Sequence, residues 1–522
     1  MNLSDEARAH SELQRALATG RAEFVAESAQ ANVWPLICAH YPMLIAAIES
    51  LPSRVLERYP VLRAFHPMTA VLARTSRPFK PLIYSDEARS MSPDELDMLT
   101  LVQMVSFRFS GDVAAALIYA RRLDERIQQD RPDSREHVDG PLWYFHHEIG
   151  STYLAAGAAG RALLSFATAR QLGALARQQD AERLPLGRAA LAHAVRGSLD
   201  DTEAALQEVA RQPEPTHAHV RPAESTERAA AALVAVDRLD PDLDSRLAVL
   251  EPYDSIELAW PFALLARARA MIAQHRPDDA LEAVRLAREA HPSLHGAFAS
   301  DVIAAMLIEA HCANGELRLA QRAAETGAAT GHLTQLAKIR LAVLTSRWDY
   351  AGGALRNLQA DRALGPGGRA ELAVLAGWMD VAQVGRLERA TALHLAHLAR
   401  QRNTRRVFAS APRELVAAMI DALPPTERAR TASSLSDLSH AELETTPHLT
   451  RSELRVLQGL SVHDTTASLA ATFHVSPNTV KSQLRSVYRK LGCSSRAEAL
   501  RVAARLNLLA PEDIAAGSPG EW

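Results

Sequence analysis

The sequence predicts an all-α protein, an array of helix pairs followed by a C-terminal four-helix unit. Apolar residues recur at helical spacing from Met1 to about His440, and almost no stretch alternates as a half-buried strand requires. A short turn followed by an Ala-rich segment returns roughly every 33 to 46 residues, the range in which one helix pair per repeat stacks into a solenoid. Between Leu449 and Leu509 four successive segments carry local signals for helices and caps.

The chain has 522 residues, 48% hydrophobic and 23% charged, long enough for several domains or one extended array and too apolar for disorder. Its three cysteines, Cys38, Cys312 and Cys493, lie far apart without metal-ligand spacing, which fits a reducing compartment. The start, Met1 to Glu6, lacks a basic segment and an apolar core, and no apolar run approaches bilayer length. A cytoplasmic protein with no membrane partner is expected. Abundant Ala and Arg with only four lysines point to a GC-rich bacterial genome.

The recurring turns are Ser110-Gly111-Asp112, Ala156-Gly157, Gly197-Ser198-Leu199, Arg238-Leu239-Asp240-Pro241, Arg276-Pro277, Asn314-Gly315-Glu316 and Arg347-Trp348. The best single copy runs from Gly150 to Ala169, where small residues let two antiparallel helices approach and aromatics fill the seam. Each pair leaves an apolar face that only a neighbouring pair can cover. The series resembles degenerate tetratricopeptide repeats. Leu51-Pro52-Ser53-Arg54-Val55-Leu56-Glu57-Arg58-Tyr59-Pro60 also looks like the entry into the helical arm of large MalT-like regulators. That arm normally follows an ATPase module, yet none of the four lysines follows Gly in a phosphate-binding loop. No alternating strands stand before Thr450 to carry a receiver domain. Leu423-Pro424-Pro425 and the Ser/Thr-rich stretch to Pro447 read as a boundary with a short helix or flexible linker. The expected organisation is a repeat array over 1–422, a linker over 423–447, a four-helix domain over 448–510 and a tail over 511–522.

In the C-terminal unit, Thr450 with Glu453 forms a capping box, followed by an apolar stripe of Leu454, Leu457 and Leu460. A second helix with Leu469, Ala470 and Phe473 inward follows the Asp464-Thr465-Thr466 turn. Ser476 caps a third helix with Pro477 at its first position, where the missing N–H costs nothing. Val480, Leu484, Val487 and Leu491 form its buried face, and Gly492 ends it. Ser495 and Glu498 make another capping box for a fourth helix carrying Ala499, Val502, Ala503 and Leu506. Two helices, a short turn and a basic helix follow helix-turn-helix logic.

Outside the apolar stripe the third helix presents Asn478, Thr479, Lys481, Ser482, Arg485, Ser486 and Arg489, donors suited to phosphates and base edges. From Leu449 to Leu509 nine Lys or Arg face three acids, a local charge of +6 in a chain of formal charge −3, so the remainder carries −9. Such a reversal of sign is an electrostatic footprint for nucleic acid.

Leu449-Thr450-x-x-Glu453, Leu469-Ala470, Val475-Ser476-Pro477-Asn478-Thr479-Val480-Lys481, Lys490-Leu491-Gly492 and Ser495-Arg496-Ala497-Glu498-Ala499 together resemble the LuxR-type helix-turn-helix. The resemblance implies that the third helix enters the major groove of double-stranded DNA. It gives Lys481, Ser482 and Arg485 base-facing roles, and Asn478, Thr479 and Arg489 phosphate roles. It also implies a dimer contact through the fourth helix. The chain departs from the family pattern at His463, where a Gly is usual, at Ser468, where a Glu is usual, and at Gln483, where His is frequent. Sigma-factor C-terminal domains have a similar helical shape, but nothing upstream looks like the rest of a sigma factor.

His146-His147-Glu148 and His394 with His397 bring imidazoles together without a full ligand set, so no metal and no other cofactor is expected. Trp143, Tyr144, Phe145 and Tyr153 read first as core filling and second as a ligand groove. No grouping of nucleophile, base and oxyanion donors is legible, so no enzyme is expected. The leading expectation is a sequence-specific DNA-binding transcriptional regulator, a homodimer on DNA whose array receives a protein or small-molecule effector, with RNA polymerase a further candidate partner. The alternative is a helical-repeat adaptor for a protein partner with its DNA-binding end non-functional or sequestered.

Overall fold

The computed structural model describes the chain except residues 1–2, 73–90, 130–139, 177, 217–218, 254–258, 292–295, 328, 441–448, 492, 506–507 and 510–522. Every regular element among the described residues is helical. None of these helices is long and apolar enough to cross a membrane.

Six helices, from Leu3–Ala18 to Pro60–Leu72, form an N-terminal bundle around Leu13, Leu36, Leu44, Ile48, Leu62 and Phe65. Its core runs on into the helices Pro93–Phe109 and Leu142–Ala155 through Met104, Phe145 and Ile149. Ser92 starts the first of these with a capping box, its hydroxyl accepting from the Glu95 amide while the carboxylate accepts from the Ser92 amide.

Helix pairs follow one another from residue 93 to residue 399, their first helices starting 34 to 49 residues apart. The two members of a pair differ for a readable reason. Ala297–Ala313 is apolar nearly all round, with Phe298, Val302, Ala305, Met306, Ile308 and Cys312 all buried. A helix of that kind must be enclosed, and the first helices of successive pairs from Arg183–Arg196 to Pro366–Val384 pack on one another as an inner layer. Pro277–Ala290 instead buries only Ala280, Ala283, Val284 and Ala287, one stripe at spacings of three and four, and stands outside. Within the pair singled out in the sequence, a Cβ on Gly150 would lie 2.6 Å from the Phe166 ring, so glycine sets how closely those helices approach.

Six of the seven recurring turns share one device. One or two residues after the first helix the chain takes a left-handed conformation, at Gly157, Gly197, Leu239, His275, Gly315 and Ser346. The next amide then reaches back five residues, as Ser198 does to the His193 carbonyl and Arg347 to the Ala342 carbonyl. This is the Schellman closure, which satisfies carbonyls that a helix end leaves open. At Gly197 the lack of a side chain also lets the chain pass close to a neighbour. A Cβ at Gly197 would stand 2.5 Å from Gly367 Cα, whereas one at Gly315 would meet nothing within 4 Å. Gly197→Ala is therefore expected to cost about 2–4 kcal/mol, the sum of left-handed strain and overpacking, and Gly315→Ala about 1–2 kcal/mol from strain alone, measured as urea midpoints.

The contact at Gly197 joins pairs more than 150 residues apart, so the array curls far enough for its turns to meet. Arg406 inserts between Asp237 and Glu371 along the same seam, its Nε donating to Asp237. Pro425–Leu435, within the expected linker, is a helix with Leu435 in the array core, and His440 Nδ1 lies 3.0 Å from the Phe408 carbonyl oxygen. Residues 441–447 of that linker and the tail from 511 lie outside the described residues.

Candidate nucleic-acid interface

The C-terminal unit has its own hydrophobic core, separate from that of the array: Val456, Leu457, Leu460, Leu469, Ala470, Val480, Leu484, Val487, Leu491, Ala499 and Ala503. Its helices are Arg451–Val462, Thr466–Phe473, Pro477–Leu491 and Arg496–Arg505. The inward face of the first helix differs from the expected stripe by one residue. Val456 is buried and Leu454 only half-buried, and the second helix packs at the far end of this helix. There Gly459 lets Leu469 and Phe473 approach, a Cβ at that position falling 2.4 Å from Leu469 Cδ2. Leu506 and Gly492 lie outside the described residues.

The caps define the turn. Thr450 forms its box with Glu453, and Thr465 Oγ1 accepts from the Ser468 amide at 3.1 Å. Only His474, Val475 and Ser476 separate the second helix from the third, and His474 makes this possible by adopting φ 56° while the Val475 amide donates to the Ala470 carbonyl. Ser476 Oγ accepts from the Thr479 amide at 3.1 Å and lies 2.8 Å from its hydroxyl. The expected box on the fourth helix is displaced by one residue. Ser495 Oγ accepts from the Glu498 amide, but the Glu498 carboxylate takes the amide and hydroxyl of Ser494.

Asn478, Thr479, Lys481, Ser482, Arg485 and Arg489 are all exposed on the third helix. The spacings place Asn478, Lys481, Ser482, Arg485 and Arg489 along one stripe opposite Val480, Leu484, Val487 and Leu491, with Thr479 about a quarter turn off it. The amphipathic helix thus spends its apolar face on the core and offers a continuous row of donors outward.

Not every polar residue of the third helix belongs to that row. Ser486 Oγ donates to Glu453 Oε1 at 2.7 Å, and Lys490 Nζ to Glu453 Oε2 at 2.7 Å. Burial would raise the Glu453 carboxyl, but Lys490, Ser486 and Thr450 outweigh it and hold the group down at about 2. One carboxylate therefore caps the first helix and clamps the third. Sequence reasoning saw only the cap, because the capping box explains Glu453 locally while its grip on Lys490 spans 37 residues. Arg496, another local cation, bonds the carbonyls of Leu460 at 2.6 Å and Asp464 at 2.7 Å. Arg455 lies over the Phe473 ring. The outward charge of the third helix is thereby concentrated on Lys481, Arg485 and Arg489. Two departures from the family pattern meet each other, Ser468 Oγ standing 3.0 Å from His463 Nδ1 across the loop before the second helix.

The family model for GerE, bacterial regulatory proteins of the luxR family, matches residues 447–503. No curated protein matches the chain. The C-terminal unit is a LuxR-family helix-turn-helix DNA-binding domain, joined to a helical N-terminal part.

Proposed function

We propose that this chain is a sequence-specific transcriptional regulator of the bacterial cytoplasm, binding double-stranded DNA as a homodimer and using the helical array to receive a protein or small-molecule signal. The observation that carries the reading is the exposed row of Asn478, Lys481, Ser482, Arg485 and Arg489 on the third helix of a LuxR-family domain. Lys481, Ser482 and Arg485 read base edges in the major groove, where a guanidinium reaches guanine O6 and N7. Asn478, Thr479 and Arg489 bond phosphates, the first two beside the helix N-terminus, where the dipole favours anions. In this reading residues 448–510 are the DNA-binding domain, 423–447 the connection, and 1–422 a tetratricopeptide-like, MalT-like arm without an ATPase module. The protein is not an enzyme and needs no cofactor. The arm, of opposite charge to the DNA-binding unit, masks that unit or sets its dimer geometry, and a ligand that prefers one arrangement shifts the DNA-competent population. RNA polymerase is the partner through which bound regulator acts.

Selection from a random duplex library by the full chain and by the fragment 446–522, at two salt concentrations, tests the reading. One motif enriched by both supports a regulator, and enrichment by the fragment alone supports masking. Enrichment by neither favours an adaptor with a sequestered DNA-binding end. On the selected duplex, Arg485→Ala is expected to lose about 1–3 kcal/mol and relax one base pair, whereas Arg489→Ala should weaken all duplexes alike and reduce the salt slope by about one.

A further inference from the structure

A cavity of about 240 Å³ lies where the N-terminal bundle meets the first repeats, walled by the helices Pro93–Phe109, Leu142–Ala155, Arg183–Arg196 and Val220–Arg238. Its apolar side is made by Ile37, Tyr41, Phe65, Leu101, Val102 and Val105. The opposite side carries charge, most of it in ion pairs. Arg108 is paired with Glu148, and Arg183 donates to both Glu227 oxygens at 3.0 and 3.1 Å. His219 in the same wall stands 2.8 Å from the buried Asp180 carboxylate. The field of Arg188, also in the wall, acts on Glu148 and favours its ionised form.

Within this wall two buried polar atoms, Arg108 Nε and His147 Nδ1, have no hydrogen-bond partner among the described residues. Native interiors seldom leave such atoms unsatisfied, and both belong to side chains that line the cavity. Burial pushes the His147 imidazole down to about 3, so it is neutral at physiological pH and can exchange a hydrogen bond with an uncharged group. A charged guest would have to shed its water and disturb pairs that already neutralise one another. A neutral guest with an apolar body meets neither cost.

We propose that this cavity binds a neutral, mainly hydrophobic small molecule carrying one carbonyl or hydroxyl group, its body among Tyr41, Phe65 and Val105 and its oxygen toward Arg108 and His147. The site deepens the reading of the array as the signal-receiving part and rests on that reading for its regulatory meaning. The motif His147-Glu148 and the ring of Tyr144 line this cavity, and Trp143 and Phe145, buried on either side of Tyr144, hold the helix that carries them.

Calorimetric titration of the full chain with 2-acetylnaphthalene, a neutral ketone, and with 2-naphthoate, an anion of similar shape, tests the site. The ketone is expected to saturate at one per chain and the naphthoate to bind at least tenfold more weakly. Val105→Trp and Ala223→Leu fill the cavity, and each is expected to weaken the ketone at least tenfold while leaving the circular dichroism spectrum unchanged. Should both variants fail to fold, hydrogen exchange on the native chain decides, with ketone protection expected at residues 101–109 and 144–148. The proposal is overturned by absence of saturation, by naphthoate binding as tightly as the ketone, by undiminished binding to a folded filled variant, or by protection elsewhere. The selected duplex separates this failure from that of the wider reading. Ketone binding with unchanged duplex affinity keeps the site and overturns the array as a sensor; duplex binding without ketone binding overturns the site alone.

Discussion

Asp237→Ala is expected to lower the unfolding free energy of the array by about 3–5 kcal/mol, the range for stranding a buried charge by removing its partner. Asp237, on the inner helix Val220–Arg238, accepts from Arg406 and lies 3.7 Å from Arg269 Nη1. Arg406 also stands 3.7 Å from Glu371, which Arg340 holds at 3.1 Å. All five side chains are buried, so each ion depends on the others for the solvation it has lost. Burial pulls Arg269 below its usual value, whereas the carboxylates Asp237 and Glu371 overcome the same penalty at Arg406 and raise it. The Asp237→Ala variant leaves both guanidinium groups short of an anion at once. Asp237→Asn, which keeps an acceptor for Arg406 without the charge, is expected to fall between the variant and the native chain. Removing Glu282, whose pair with Arg285 is solvent-exposed, should leave the urea midpoint unmoved, and an equal effect at the two positions would refute the buried network as the cause.

The DNA-binding unit is expected to lose about 1–3 kcal/mol of stability as pH falls from about 4.5 to about 2, and Glu453→Gln should remove most of that dependence. The folded-state value of Glu453 is depressed below its ordinary 4.5, so its contribution is complete above that value and disappears as protons fill the carboxylate down to about 2. Hydrogen exchange across residues 451–491 of the full chain, followed against pH, measures it. At neutral pH the Gln variant should already be less protected, since Lys490 loses its anion. A native-like pH profile in that variant would assign the clamp elsewhere. The same change is expected to weaken DNA binding although Glu453 faces away from the row of donors, because it sets the third helix on the first.

Most of the C-terminal unit was legible because its signals are local. A capping box and a Pro at a helix start each lie within four residues, and the apolar stripe recurs at steps of three and four to give the buried frame of Val480, Leu484, Val487 and Leu491. What could not be read was tertiary: the two bonds that the Glu453 carboxylate accepts from Ser486 and Lys490, which turn those side chains inward, and the diversion of Arg496 to carbonyls. In the array the all-helical character and the repeating turns were legible for the same local reason. Gly111, Gly157, Gly197 and Gly315 marked turns in the sequence, and all four adopt a left-handed conformation. Leu239, His275 and Ser346 occupy the equivalent position with nothing in their identity to announce it. The aromatic run at 143–145 divides between the two readings that its sequence allowed, Trp143 and Phe145 being buried and Tyr144 lining a cavity. Only the arrival of helices from residues 37 to 227 creates that cavity, so no window of sequence contains it.

The seam that brings Arg406 to Asp237 also changes how the array must assemble. In an open solenoid each repeat answers only to its neighbours, and nucleation can begin anywhere and spread. Here Arg238 donates to Asn403 across 165 residues and Arg406 to Asp237 across 169. These links form only after the intervening chain has been ordered, so their entropy is paid late and refolding should be slower than for an unclosed stack of equal length. Once made, they tie the helix Val220–Arg238 to the chain beyond residue 399 as one cooperative body, and loss of either partner will be felt at the other instead of fraying locally.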